Sequence, residues 1–174
     1  WGYKKYDVLL FGCDRVGHDL VVLLKKMKKK FLVIDHNPEI VSSLNKKGIK
    51  CIYGDASDLE LLDELHLSQL KMVVSTIPNF EINAAIINKV RSVNSSTILV
   101  IVSHRAEEAI ELYEQGASYV ILPHLLGGYH ASLLIEKHGL NFDNFLKEKM
   151  RHLEHLKIAT SENKKLISAS VRYR

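Results

Sequence analysis

Short runs of consecutive apolar residues recur along the chain, at Val8 to Phe11, Phe31 to Ile34, Lys50 to Tyr53, Met72 to Thr76, Ile98 to Val102 and Tyr119 to Leu122. Between them stand stretches with apolar residues at helical spacing, at Val16 to Lys29, Pro38 to Lys47, Leu59 to Leu65, Asn79 to Val93 and Ala106 to Gln115. The pattern predicts strict β-α alternation. Met72-Val73-Val74 and Ile98-Leu99-Val100-Ile101-Val102 are apolar at every position, so those strands need cover on both faces. A parallel sheet between two layers of helices provides it, and the expected fold is a doubly wound α/β domain with six strands.

Punctuation supports these boundaries. Asn37-Pro38 opens a helix, Gly48 and Gly116 follow helix ends, and Ser57 or Asp58 caps the third helix. After Pro123 the pattern turns helical again, through Ala131 to His138 and Phe142 to His155. Lys157 to Arg174 is polar and reads as a linker, with a strand-like apolar run at Leu166 to Val171. The chain opens Trp1-Gly2-Tyr3-Lys4-Lys5 without an initiator Met. The expected division is therefore a linker from a preceding region at 1–6, a nucleotide-binding domain at 7–138, and a C-terminal helical extension and tail at 139–174.

The sharpest chemical feature is Leu9-Leu10-Phe11-Gly12-Cys13-Asp14-Arg15-Val16-Gly17-His18, a strand that enters a helix through G-x-D-x-x-G. Gly12 permits a tight turn, and Gly17 lets the helix pack closely on the sheet. The backbone N–H groups of Cys13, Asp14, Arg15 and Val16 are then aimed at an anion. This is the Rossmann-like phosphate loop, with one departure. Asp14 stands where a dinucleotide fingerprint has Gly; its side chain crowds a pyrophosphate and its charge repels one, with Arg15 as partial offset. A mononucleotide such as AMP suits the loop better.

Asp35 ends the second strand at about the 20-residue offset of an acid that hydrogen-bonds ribose hydroxyls. It disfavours a 2′-phosphorylated cofactor, although the neighbouring His36 softens that exclusion. Asp35 also reads as a helix cap, for which Asn37 is better placed. Gly54-Asp55-Ala56 follows the third strand and Thr76-Ile77-Pro78 the fourth. Both loops fall at the carboxyl edge of the sheet, where Asp55 meets an adenine amino group and Ile77 an adenine face, beside Thr76. Simple turn formation explains each residue taken alone equally well.

Composition narrows the function classes. The 174 residues are 47% hydrophobic and 25% charged, enough for one sizeable core and too few for equal cofactor and substrate domains. The net charge is +4, and its densest cluster, Lys25, Lys26, Lys28, Lys29 and Lys30, sits where a helix ends. Cations are favourable there, so the cluster reads as a solvated last turn and no nucleic-acid binding is expected. Only two cysteines occur, Cys13 and Cys51, and no disulfide is expected. Cys13 begins a helix, a place that lowers a thiol pKa, but no base or orienting group accompanies it, so it reads as a partly buried small side chain. Glu148, His152 and His155 share a helix face without a further convergent ligand, so no metal is expected.

With Gly12-Cys13-Asp14-Arg15-Val16-Gly17, Val33-Ile34-Asp35, Gly54-Asp55-Ala56, Asn83 and Gly116-Ala117-Ser118 in order, the chain resembles the regulator-of-potassium-conductance family, also called RCK or the TrkA N-terminal domain, from about Tyr6 to Gly128. Within it, the chain is most like the cytosolic tails of Kef-type cation/proton antiporters, whose Gly-x-Gly-Arg-x-Gly turn matches at Arg15 and Gly17 but not at Asp14. The resemblance implies a regulatory domain that binds AMP, NAD(H), ADP or ATP. It implies a homodimer or larger ring that transmits occupancy to a membrane transporter, and a cytoplasmic location beside the inner membrane, attached through a transmembrane region outside this sequence. Phosphate contact carries over to Arg15 and the Gly12 to Gly17 turn, ribose contact to Asp35, and adenine-side contact to Asp55 and Ala56. It brings no catalytic residue. In such proteins the helix after the sixth strand crosses to a partner subunit, here the segment after Gly127-Gly128 with Ala131, Leu133, Leu134 and Ile135. The alternatives are an NAD-dependent oxidoreductase fragment and a scaffold whose site has decayed at Asp14.

Overall fold

A computed structural model of the chain describes residues 6–170; the side chains of residues 15, 59, 158, 159 and 161–170 lie outside the described set. The elements run β1 (Val8–Phe11), α1 (Arg15–Lys26), β2 (Phe31–Asp35), α2 (Pro38–Lys46), β3 (Cys51–Tyr53), α3 (Leu59–Glu64), a 3-10 turn (Leu67–Gln69), β4 (Met72–Ser75), α4 (Phe80–Val93), β5 (Ile98–Val102), α5 (Ala106–Glu114), β6 (Tyr119–Ile121), α6 (Pro123–His138) and α7 (Phe142–Ser170). The six strands form one parallel sheet in the order β3-β2-β1-β4-β5-β6. The order reverses between β1 and β4, the switch point at which open α/β sheets bind ligands.

Strand alternation divides the core into two layers. Leu9 and Phe11 of β1 face one side, where they meet Leu62 of α3, Ile86 and Ile87 of α4 and Leu112 of α5. Leu10 faces the other, with Val33, Val74, Val21 of α1 and Leu44 of α2. Consecutive apolar residues are thus buried on both faces, as a parallel sheet covered twice requires. Asn37 caps α2 by accepting the Glu39 amide at 2.9 Å, and of the two residues expected to cap α3 it is Asp58 that accepts the Glu60 amide at 2.9 Å.

The compact sheet unit ends at Pro123, and residues from His124 form a second unit. Within the second, Gly139 leaves α6 with φ +55°, and the Asn141 side chain accepts the Asn144 amide at 3.0 Å to start α7. Glu148 of α7 accepts from Arg151 at 3.0 Å and lies 3.2 Å from the ring of His138 at the end of α6. Two expectations are corrected here. α6 begins at Pro123 rather than Ala131, because Pro at a helix start costs no hydrogen bond and Gly127-Gly128 weakens a helix without breaking it. The run from Leu166 is not a strand, since α7 continues to Ser170; a short apolar run does not by itself distinguish strand from helix. Val171 lies outside the described residues. Among the described residues no helix is long and apolar enough to cross a membrane.

Three helices of the sheet unit close with the same pair of bonds, from the amide two residues past the cap to the carbonyl five back and from the amide before it to the carbonyl three back. In α2 and α5 the left-handed position belongs to Gly48 (φ +70°) and Gly116 (φ +112°), but in α1 it is Lys28, with φ +53°. A lysine Cβ is strained there and glycine is not. Lys28→Gly is therefore expected to raise stability by about 0.5–1 kcal/mol after the added flexibility of the unfolded chain is offset. Urea unfolding of the two proteins side by side tests it; an equal or lower midpoint contradicts the assigned strain.

Candidate functional site

The site grows from the end of β1. Phe11 pairs with Ile34 on one side and Ser75 on the other, so the loops after β1, β2 and β4 open side by side. Gly12 turns the chain with φ +80°, and its amide donates to Ile34 O at 2.9 Å. A Cβ on Gly12 would lie 2.8 Å from Thr76 Oγ1, and one on Gly17 would lie 2.4 Å from the backbone oxygen of Gly12. Both glycines are required by close approach, and Gly17 is the stricter case because backbone cannot swing aside. Thr76 fastens the turn, its hydroxyl donating to Gly12 O at 3.0 Å.

Asp35 sits at the end of β2 with its side chain only 4% exposed. One carboxylate oxygen accepts the Cys13 amide at 2.7 Å and the other accepts the Asn37 amide at 2.8 Å. Burying a carboxylate is costly unless its oxygens are hydrogen-bonded, and two charge-assisted bonds from backbone meet that need. The glycine-rich turn is thereby tied to the acid across 22 residues of sequence. The Asn37 amide, not a helix end, takes the second oxygen; α2 is capped by Asn37 itself.

The remaining residues fall around this pair. Asp14 is the exposed cap residue of α1, and its side chain makes no capping bond. The first bond of α1 runs from His18 N to Asp14 O, so the N–H groups of Arg15, Val16 and Gly17 have no carbonyl one turn back. The side chain of Arg15 lies outside the described residues. His36 is 84% exposed, 3.9 Å from Asp35. Asp55 is exposed beyond β3, the neighbour of β2, and accepts the Ser57 amide at 2.9 Å; that bond holds its carboxyl below the usual range. Ala56 packs into the core rather than lining the surface. Ile77 is half-buried beside Gly12.

Burial pushes the Cys13 thiol up to about 12, with the Asp35 charge acting in the same direction. The helix N-terminus does not lower it, contrary to the expectation from position alone, because the thiol is in the core and not in water. Three further polar residues lie at the same edge, and of these only Asn83 was singled out in the sequence, through the family resemblance and without a role. Asn83 donates to Ile77 O at 2.8 Å and to Val102 O at 3.2 Å, joining the loop after β4 to the end of β5. Ser75 and Ser103 are buried where β4 and β5 end. A polar residue closing an apolar run is the signal that marks the last two.

The TrkA-N domain family matches residues 8–123, more than half of the chain, and the chain belongs to that family. It is 28% identical over 114 residues to the putative cation/proton antiporter YbaL of Escherichia coli (strain K12), covering 66% of this chain and 20% of that protein. It is 24% identical over 111 residues to the glutathione-regulated potassium-efflux system protein KefC of Cronobacter sakazakii, covering 64% of this chain and 18% of that one. The chain thus spans about a fifth of the length of these relatives.

Among solved structures, the TrkA-N domain of the Escherichia coli inner membrane protein ybaL superposes with a TM-score of 0.71 at 25% identity, over 76% of this chain and 98% of that one. The Kef C-terminal domain of Shewanella denitrificans in AMP-bound form shares the fold, with a TM-score of 0.65 at 16% identity over 92% and 97% of the two chains. So does the GsuK channel bound to NAD, at 0.61 and 24% identity over 70% of this chain and 22% of that one.

The contact between Gly17 and the Gly12 backbone yields the plainest test of this geometry. Gly17→Ala is expected to cost about 2–4 kcal/mol, since the added methyl forces α1 away from the turn. Chemical denaturation measures it, and a loss below about 0.5 kcal/mol would show that the approach is not as close as described.

Proposed function

We propose that this chain is a cytosolic regulatory domain of a membrane potassium/cation transporter or cation/proton antiporter, which binds an adenine nucleotide and biases ion transport according to its occupancy. The observation that carries the reading is the buried Asp35 carboxylate held against the Cys13 amide, which puts a ribose-binding acid beside a helix N-terminus with unsatisfied amides. Each carboxylate oxygen accepts one N–H and retains a lone pair for a sugar hydroxyl. The N–H groups of Arg15 and Val16 at the start of α1 receive phosphate, with the Arg15 guanidinium as added cation.

Asp14 favours AMP over ligands with a pyrophosphate, because an exposed carboxylate at that corner repels a second phosphoryl group. NAD(H), ADP and ATP follow in the same crevice, in keeping with relatives of the same fold whose structures hold AMP or NAD. Adenine lies toward Asp55 and Ile77. The reading assigns no catalytic residue. Occupancy acts by favouring one of two arrangements of the domain or its assembly, and the bias equals the difference in nucleotide affinity between them.

Assembly as a homodimer or larger ring uses α6. No residue of α6 is buried within the chain, and Leu125, Tyr129 and Ile135 are each more than half exposed. Leu125 and Tyr129, one turn apart on this unburied helix, supply the apolar contact for such an interface.

Calorimetry against AMP, ADP, ATP, NAD and NADH tests the binding. Asp35→Ala is expected to weaken nucleotide by about 1.5–3 kcal/mol, and Arg15→Ala to weaken phosphate-bearing ligands more than adenosine. Unchanged affinity in Asp35→Ala removes the acid from the site, and no binding by the unaltered chain removes the function. For the assembly, light scattering of the chain at high concentration is expected to give at least a dimer, and Leu125→Glu with Tyr129→Glu to give monomer. A monomer throughout, with and without AMP, contradicts the role given to α6.

A further inference from the structure

The lysine cluster noted in the sequence is one part of a larger basic surface at the opposite edge of the sheet. A cleft of about 550 Å³ opens there, lined by Lys25, Lys29, Lys30 and Lys50 with Tyr6 and Phe31 among its walls, and its lining includes no acidic side chain. Three separate segments meet to form it: the end of α1, the approach to β2 and the approach to β3. Backbone bonds fix them, Asp7 N and Val8 N donating to Lys30 O, and Val33 N to Lys50 O. All four lysines are exposed, while the two rings are half-buried.

A neighbouring acid, Asp7, is engaged by Lys71 at 2.7 Å, and Lys29 and Lys30 add to the positive field that holds its carboxyl low. Lys28, next to the cleft, keeps a cation at a backbone position that glycine occupies in α2 and α5. Asp7, just ahead of β1, lies at this same edge, its amide on Lys30 O.

We propose that this edge is a docking surface for an anionic phospholipid bilayer, with the lysines over the headgroups and Tyr6 and Phe31 at the interface. The inference rests on the reading of the chain as a domain of a membrane transporter. Several exposed lysines on one broad edge suit a surface with many negative charges, since each gains a modest, additive attraction that salt screens. A small soluble anion is better held by buried, converging donors, which this cleft lacks. Aromatic rings beside lysines suit the headgroup layer, where one face is apolar and the other wet.

Co-sedimentation of the whole chain with vesicles of phosphatidylglycerol and phosphatidylcholine tests it, against vesicles of phosphatidylcholine alone. Binding is expected only with the anionic lipid and to fall as salt is raised. The combined Lys25→Glu, Lys29→Glu and Lys30→Glu protein is expected to bind at least about tenfold more weakly. A control with Lys147→Glu and Lys149→Glu on α7 changes charge elsewhere and is expected to keep its binding, and glutamine in place of glutamate guards against misfolding from charge reversal.

No binding to the anionic vesicles, or an equal loss in the control, overturns the proposal. So does displacement of the chain from vesicles by an equal charge of duplex DNA, which would mark the edge as a general polyanion surface. AMP calorimetry on the same proteins separates the two readings. Lipid binding without AMP binding defeats the nucleotide function alone, and AMP binding without lipid binding defeats this inference alone.

Discussion

The carboxyl edge of this domain depends on one buried hydrogen bond, from the Cys13 amide to the Asp35 carboxylate at 2.7 Å. An ionised carboxylate in a core is expensive, and the bond exists because the chain offers it backbone N–H groups that would otherwise be orphaned at a strand end and a helix start. The two needs cancel. In doing so they fix the glycine-rich turn against β2, which sets where α1 begins and where its first-turn amides point. Thr76 secures the same turn from β4, so the loop is braced on both sides of the switch point.

That bond also changes how the acid is understood. A ribose-binding aspartate is easily pictured as an open hook, but here both oxygens are already occupied by N–H groups and the side chain is almost wholly covered. The acid is part of the scaffold before it is part of any site. Under the proposed function, its remaining lone pairs, not its charge in water, are what it has for a sugar hydroxyl. Asp14, one residue past Cys13, is the opposite case: exposed, uncommitted and free of any capping bond.

Much of this was legible in the sequence, and the pattern of success has a physical cause. Strands such as Val8–Phe11 and Ile98–Val102 were read to the residue, since apolar runs bounded by Asp7 and Gly12, and by Thr97 and Ser103, leave little choice of ends. Placement of Gly12, Asp35 and Thr76 at the carboxyl edge followed from the β-α alternation, and the observed strand order makes them neighbours. What was not legible depends on contacts between distant segments: the grip of Asp35 on the Cys13 amide and the Thr76 hydroxyl under Gly12. Ala56 shows the limit from the other direction. Its place in the loop after β3 resembles that of a ligand contact, yet a small apolar side chain beside Leu62 is drawn into the core.

The two ends of the sheet differ in charge because a parallel sheet sorts them. Every β-α loop lies at the carboxyl edge and every α-β loop at the amino edge, so acids placed at strand ends and lysines placed at helix ends are carried to opposite faces of the molecule. Asp14, Asp35, Asp55 and Asp58 collect at the first, and Lys25, Lys29, Lys30 and Lys50 at the second. Helix dipoles reinforce the sorting: α1 presents its positive pole to the turn at Asp14 and its negative pole to Lys25 and Lys26. Under the proposed function a phosphate arriving at α1 meets amides and a positive pole in an otherwise acidic neighbourhood, which demands a specific seat, whereas the lysine edge is a broad positive surface without one. The two edges differ in kind because a single topology sorts their charges.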